Sequence, residues 1–283
     1  MKFGLFGINN GILADPALAS RTVKAAEAAG FESVWTGEHI VLPDPQVPPS
    51  PSTPQTPFAD TSTWLAFLAG QCETLKLGTG IIILPQRNPV ELAKELATVD
   101  VASQGRLLFG VGAGYLEAEF RAMGIRFEDR GARTDEYIDA IKALWTETNP
   151  VFHGDTVEFS GIDAQPRPVQ DPHPPIHVGG HSPPALRRAV RRGNGWYGFF
   201  VDHEHATTHM KTLSEIEETE GRDATLGRLE ISITPLPRTT VDDAIRYRDM
   251  GVDRLTLLPD ARDENHLMRW IDETANSMLG QAK

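Results

Sequence analysis

Eight short apolar runs, each followed by a segment with helical patterning, constrain this chain more than any other feature. They are Lys2–Gly7, Ser33–Glu38, Lys76–Ile83, Arg106–Gly112, Ile176–Gly180, Gly195–Phe200, Glu230–Pro235 and Arg254–Leu258. Runs that are apolar nearly throughout fit parallel strands covered on both faces. Eight strand–helix units are what a (β/α)8 TIM barrel requires, whereas an open doubly wound sheet gives no reason for eight. The helical segments carry their own stop and start signals. Asp15 is placed to cap a helix over 16–30, with Pro16 in its first turn and Gly30 at its exit. Asn88 is placed to cap Pro89–Gln104. In Gly131–Trp145, Tyr137, Ile138, Ile141, Leu144 and Trp145 recur at helical spacing. Further helices are expected at Asp60–Gly70, Pro183–Arg192, His205–Glu218, Val241–Met250 and Glu264–Leu279.

Two insertions interrupt the alternation. After strand two, residues 43–58 hold seven prolines, too many for a helix or an inner strand, so a long surface loop is expected. Before strand five, Val151–Phe159 reads as a small hairpin turning at His153-Gly154-Asp155. The 283 residues suit one barrel domain over 1–283, and no shift in composition marks a second.

Charge narrows the function. Twenty-seven basic against 39 acidic side chains give −12, which disfavours a nucleic-acid or anionic-membrane surface while leaving room for a local basic pocket. The single cysteine, Cys72, excludes an internal disulfide and a Cys-based structural zinc site. No run reaches the length of a membrane span, and the first residues lack a secretory pattern, so a cytoplasmic protein is expected.

Active sites of such barrels lie at the C-terminal ends of the strands. At the end of strand two, Glu38-His39 offers either shared proton work or a hydrogen-bonded anchor for the following loop. Gly179-Gly180-His181-Ser182, ahead of a Pro-started helix, offers either a phosphate cradle or an ordinary tight turn. Gly110-Val-Gly-Ala-Gly114 lacks the third glycine of a dinucleotide fingerprint and is better read as close backbone approach. His203-Glu204-His205 with His209 lacks the His-Glu-x-x-His spacing and reads as a solvated helix face, so no metal is expected. Arg187, Arg188, Arg191 and Arg192 read as solvated or paired, with one or two free to face an anion. No Gly-x-Ser-x-Gly elbow supports a covalent nucleophile.

Taken together, the motifs are more specific than any one alone. Ser33-Val-Trp-Thr-Gly-Glu-His39, Leu77-Gly-Thr-Gly-Ile-Ile-Ile-Leu-Pro-Gln-Arg-Asn-Pro89, Arg106-Leu-Leu-Phe-Gly-Val-Gly-Ala-Gly-Tyr-Leu-Glu117, Arg130-Gly-Ala-Arg-Thr-Asp-Glu-Tyr137 and Pro175-Ile-His-Val-Gly-Gly-His-Ser182 occur in consistent order over about residues 1–200. This series resembles the bacterial luciferase-like flavin and deazaflavin oxidoreductases, most of all the branch that uses coenzyme F420. The resemblance implies a (β/α)8 fold with the cofactor ring at the strand C-termini. It implies that Glu38 and His39 line the deazaflavin site, with His39 binding or protonating near the reacting centre. It implies a cis peptide at Gly80-Ile81 behind the ring and a phosphate cradle at Gly179 and Gly180. Gly7, Gly112, Val178 and Trp196, at or beside strand ends, complete the expected cofactor site. Tyr115 stands where related sugar-phosphate and alcohol dehydrogenases carry an acid, so neither substrate class is carried over. Tyr115 is the third expected catalytic residue, as proton donor, substrate platform or wall. Trp35, Ile81, Tyr115 and Trp196 are expected to make the mouth apolar, and the 43–58 loop to form part of a substrate lid or wall.

The leading expectation is therefore an F420-dependent hydride-transfer oxidoreductase acting on a small molecule. The alternatives are an FMN-dependent monooxygenase and a barrel that binds flavin or F420 without turnover. A homodimer is expected from the family. An anionic F420 tail on a chain of −12 calls for local basic groups, Arg87 or the arginines after Gly180.

Overall fold

The computed structural model describes residues 1–280. Eight parallel strands close into a barrel: β1 (Lys2–Phe6), β2 (Ser33–Thr36), β3 (Lys76–Thr79), β4 (Leu107–Gly112), β5 (Ile176–Gly179), β6 (Gly195–Phe199), β7 (Glu230–Thr234) and β8 (Arg254–Leu257). β1 pairs with both β2 and β8, and β3 pairs with β4, so the sheet has no free edge. Each strand run read from the sequence is present, shortened by a residue or two at its ends, except the third, which stops at Thr79 and resumes only as Ile82–Ile83 against β4. The helices are α1 (Pro16–Ala29), α2 (Thr61–Ala69), α3 (Pro89–Ala102), α4 (Glu117–Ala122), α5 (Arg130–Thr146), α6 (Pro183–Arg192), α7 (His203–Glu220), α8 (Val241–Asp249) and α9 (Glu264–Thr274). The expected caps form: Asp15 accepts the Leu18 N–H, Gly30 exits α1 at φ 88°, and Asn88 accepts from Val90 and Glu91.

The core has two layers because side chains alternate across each strand. Leu5, Val34, Leu77, Phe109, Val178 and Trp196 point outward and pack under the helices. Phe6, Trp35, Leu108 and Tyr197 point inward, with Ile81, Phe199 and Leu258 packed on them toward the mouth. Trp35 stacks on Tyr197 at 5.3 Å between ring centroids. The opposite end is closed by charge. Arg254 is fully buried, bonds Glu32 through Nε and Nη2, and bonds Glu230 and Ser232 through Nη1. Burial opposes ionisation of Glu230, but Arg254 and other positive neighbours hold its carboxyl near 2. That end is the stability face of such a barrel, which leaves the other end for chemistry.

Both insertions are tied down. Asp100 accepts from Val169 and Gln170 ahead of β5, and Glu136 accepts from Thr156 and Val157 at the turn of the two-stranded hairpin. At the far side of the mouth, Pro57 and Ala59 hydrogen-bond the segment after β1, and an Asn10–Phe58 bridge joins them. No helix among the described residues is long and apolar enough to cross a membrane.

Candidate active site

The site is built around His39. It leaves β2 at the barrel mouth and is almost wholly buried, with 8% of its side chain exposed. Its Nδ1 lies 3.2 Å from Oε2 of Glu119, whose side chain is completely buried. The other Glu119 oxygen accepts the Ile40 N–H at 2.9 Å and the Val41 N–H at 3.4 Å. A carboxylate only accepts, so His39 carries a proton on Nδ1 and turns Nε2 to the remaining side. Phe58 meets the ring edge-on at 5.3 Å and Tyr115 at 6.2 Å. Tyr115 is half exposed, and burial together with the Glu119 charge raises its phenol above the ordinary tyrosine range.

Glu119 was not expected as His39's partner. It sits on α4, a six-residue helix that lacks a side-chain cap. The available signal was the pair of buried apolar residues Leu116 and Phe120 at i and i+4, which seats the helix and drives Glu119 inward. A second unforeseen residue is Asn9. Fully buried after β1, it accepts the Gly37 N–H and donates to the carbonyls of Gly37 and Ala59. It therefore joins the end of β2 to the end of the proline-rich loop, and places Phe58 beside His39.

Glu38 is a correction. Its carboxylate does not face the mouth. One oxygen accepts the Ile83 N–H and the other the Arg87 guanidinium, and Arg87 also bonds Asp60 at 2.8 Å. Glu38 is engaged by Ile83 and Arg87 and His39 by Glu119, so the two do not share a hydrogen-bonded path. Burial pushes the Glu38 carboxyl up, while Arg87 and the Ile83 N–H pull it back. Burial also opposes ionisation of Asp60, yet Thr63 and Arg87 hold it near 2. The trio braces the wall between β2 and α3.

The glycines behave as close-approach positions. A Cβ on Gly112 would lie 2.3 Å from Ile81 Cδ1, and one on Gly179 would lie 3.0 Å from Ile81 Cγ2. These glycines let Ile81 cross the barrel interior and form a shelf with Phe6, Phe199 and Leu258. The Gly80–Ile81 peptide is cis, and a Cβ on Gly80 would lie 2.8 Å from the Thr36 carbonyl. Gly7 turns the chain after β1 at φ 84°, against Asn10. Trp35, expected at the mouth, is stacked deep in the barrel. Val178 and Trp196 are corrections of direction: strand alternation turns both outward, away from the mouth. Trp196 still bears on the site, because its indole N–H donates to the Gly180 carbonyl at 2.8 Å.

Gly180 adopts φ 113° and leads directly into α6. The N–H groups of His181 and Ser182 are not engaged by the turn's own backbone, and Gly180, His181 and Ser182 are all solvent-facing. Ser182 makes no side-chain cap, and Pro183 and Pro184 have no N–H. Free N–H groups at a helix start suit an anion such as phosphate. A tricyclic cofactor with a phosphate on its side chain thus fits this end of the barrel: apolar shelf, imidazole and anion cradle occupy one face.

The comparisons with known proteins agree with this arrangement. The family model described as "Luciferase-like monooxygenase" matches residues 3–282. The chain belongs to this family. It is 29% identical over 272 residues to the uncharacterized protein Rv0953c of Mycobacterium tuberculosis, covering 92% of this chain and 93% of that one. It is 38% identical over 133 residues to the FMNH(2)-dependent dimethylsulfone monooxygenase of Pseudomonas putida, a match over 46% of this chain and 36% of that enzyme. Among solved structures it superposes on an F420-dependent secondary alcohol dehydrogenase with a TM-score of 0.79 at 17% identity, covering 100% of this chain and 99% of that one. Relatives and neighbours of this chain thus include one named as F420-dependent and one named as FMNH(2)-dependent, and this chain is a TIM barrel of the luciferase-like monooxygenase family.

Proposed function

We propose that this protein is a coenzyme F420-dependent oxidoreductase that transfers a hydride between the deazaflavin and a small organic substrate. The observation that carries this reading is the His39–Glu119 pair at the mouth of the barrel. A hydride moved to or from a carbon must be accompanied by a proton, and a buried, oriented imidazole is the group that moves one near neutral pH. When bound, the deazaflavin supplies or accepts the hydride. Glu119 fixes the orientation of the His39 ring and its tautomer, while Nε2 holds or delivers the proton. Ile81, Phe6, Phe199 and Leu258 support the flat ring, and the His181 and Ser182 N–H groups hold its phosphate. Phe58 and Tyr115 wall the substrate side, with the proline-rich loop behind Phe58 as part of that wall.

An FMN-dependent monooxygenase is the second reading, favoured by the 38% identity to the FMNH(2)-dependent enzyme over 133 residues. Titration of the purified protein with F420 and, in parallel, FMN separates the two. Tight F420 binding with weak FMN binding is the expected result. Preferential FMN binding would replace the proposal with the monooxygenase reading, and binding of neither would remove both.

A further inference from the structure

The proposed cofactor raises a charge problem. Its side chain carries a phosphate and glutamyl carboxylates, and the chain has a net charge of −12. The arginines that follow Gly180 are already engaged. Arg187 and Arg191 pair with Glu220, Arg188 with Asp135, and Arg192 with Asp139. Arg87 is held by Glu38 and Asp60. Three imidazoles stand where the free charge is missing. His181 lies in the cradle itself and stacks on His209 of α7 at 5.1 Å, with 22° between the planes. His209 in turn faces His205 one helical turn earlier, at 6.4 Å.

The three rings have different duties. His181 Nε2 accepts the Phe199 N–H at 3.2 Å, which keeps that ring neutral with its proton on Nδ1. His205 Nδ1 lies 2.7 Å from the Asp202 carboxylate that caps α7. His209 has no hydrogen-bond partner among the described residues and is half-buried against Trp196. The groups bearing on His209 are thus His181 from the turn after β5, Trp196 from β6, and His205 on its own helix, with Asp202 acting through His205. His203, the fourth histidine of the run, stacks on Tyr247 on another side of α7.

We propose that His181 and His209 form a proton-linked seat for the anionic tail of the cofactor, in which His181 donates from Nδ1 and His209 takes up a proton as the anion arrives. The proposal rests on the F420 reading of the mouth. Burial and the neighbouring His205 lower His209 below the ordinary histidine range, so the free protein holds it neutral near pH 7. An adjacent anion favours the charged form and raises its pKa. Between the pKa values of the free and bound states, binding takes up one proton, and affinity falls as pH rises.

The test measures binding to the full-length protein between pH 5.5 and 8.5 for two probes. One is F420; the other is the deazaflavin riboside, which has the same ring without phosphate or glutamates. The F420 Kd should rise about tenfold per pH unit within the linked window, while the riboside Kd stays level. Calorimetry in buffers of different ionisation enthalpy should report about one proton taken up with F420 and none with the riboside. His209→Gln should weaken F420 about tenfold at pH 6, flatten its pH dependence and leave riboside binding intact. A level F420 profile in the parent, or a His209→Gln protein that binds F420 as the parent does, overturns the proposal. Failure of both probes to bind the parent removes the cofactor reading, and this proposal with it.

Discussion

Replacement of Glu119 tests the centre of the site. Its carboxylate accepts from the Ile40 N–H at 2.9 Å and faces His39 Nδ1 at 3.2 Å, with no solvent contact. Glu119→Ala leaves both donors buried and unpaired, at about 1–3 kcal/mol each. The expected loss of folding stability is therefore about 2–6 kcal/mol, read by urea denaturation. Glu119→Gln keeps one acceptor and about the same volume, so its loss should be about 1–2 kcal/mol. Its amide, however, satisfies the two N–H groups only by presenting NH2 to His39, which forces the opposite imidazole tautomer. The single-turnover rate of F420 reduction or oxidation should then fall about 100-fold or more, the usual worth of a general acid–base group. A double-mutant cycle with His39→Ala isolates the coupling. If Glu119 acts through His39, Glu119→Gln should cost almost nothing in rate once His39 is gone. Additive rate losses, or a Glu119→Gln protein with the parent's rate, would refute the assignment of Glu119 as the group that positions His39.

Other outcomes follow from the same structure. His177 is fully buried inside the barrel, and burial followed by the Arg254 charge lowers its pKa to about 4. The unfolded chain therefore binds a proton that the folded one does not as pH falls from about 6.5 to 4, and folding stability should drop by about 3 kcal/mol over that window. A His177→Gln protein whose urea midpoint falls as steeply as the parent's would contradict this. Glu38→Gln should destabilise by about 3–5 kcal/mol, because it strips a buried ion pair from one side. Its single-turnover rate in the surviving folded fraction should stay within a few-fold of the parent's, and a loss as deep as that of His39→Ala would restore Glu38 to the chemistry. Gly180→Val should raise the F420 Kd, since the residue sits at φ 113° and its Cβ would lie 3.0 Å from Ala185 Cβ; an unaltered Kd would reject the cradle. Replacing residues 44–55 with a short Gly-Ser linker, while keeping Pro57–Ala59, should change substrate KM and spare F420 affinity. Unchanged kinetics would reduce the loop to a surface insertion.

The barrel was legible in the chain because its cause is local and repeated. A strand covered on both faces must be apolar throughout, and its helix must carry a stripe at 3.6-residue spacing; eight such units are visible one at a time. The caps at Asp15, Asn88 and Gly30 are local for the same reason. The placement of His39, Tyr115 and the Gly179-Gly180 turn at one end was legible because a parallel barrel gathers all its strand C-termini there. What the chain could not display was direction and partnership. Glu38 and His39 are neighbours in sequence, yet Ile83 and Arg87 hold one in the wall and Glu119 holds the other at the mouth. Trp196 and Val178 stand near strand ends and still face the helices. Glu119 lies 80 residues from the imidazole it holds, on a helix too short to announce itself, and Asn9 works across 28 and 50 residues. Such pairings become fixed only when the barrel closes, because burial then requires every polar atom that loses water to find a partner, wherever in the chain that partner lies.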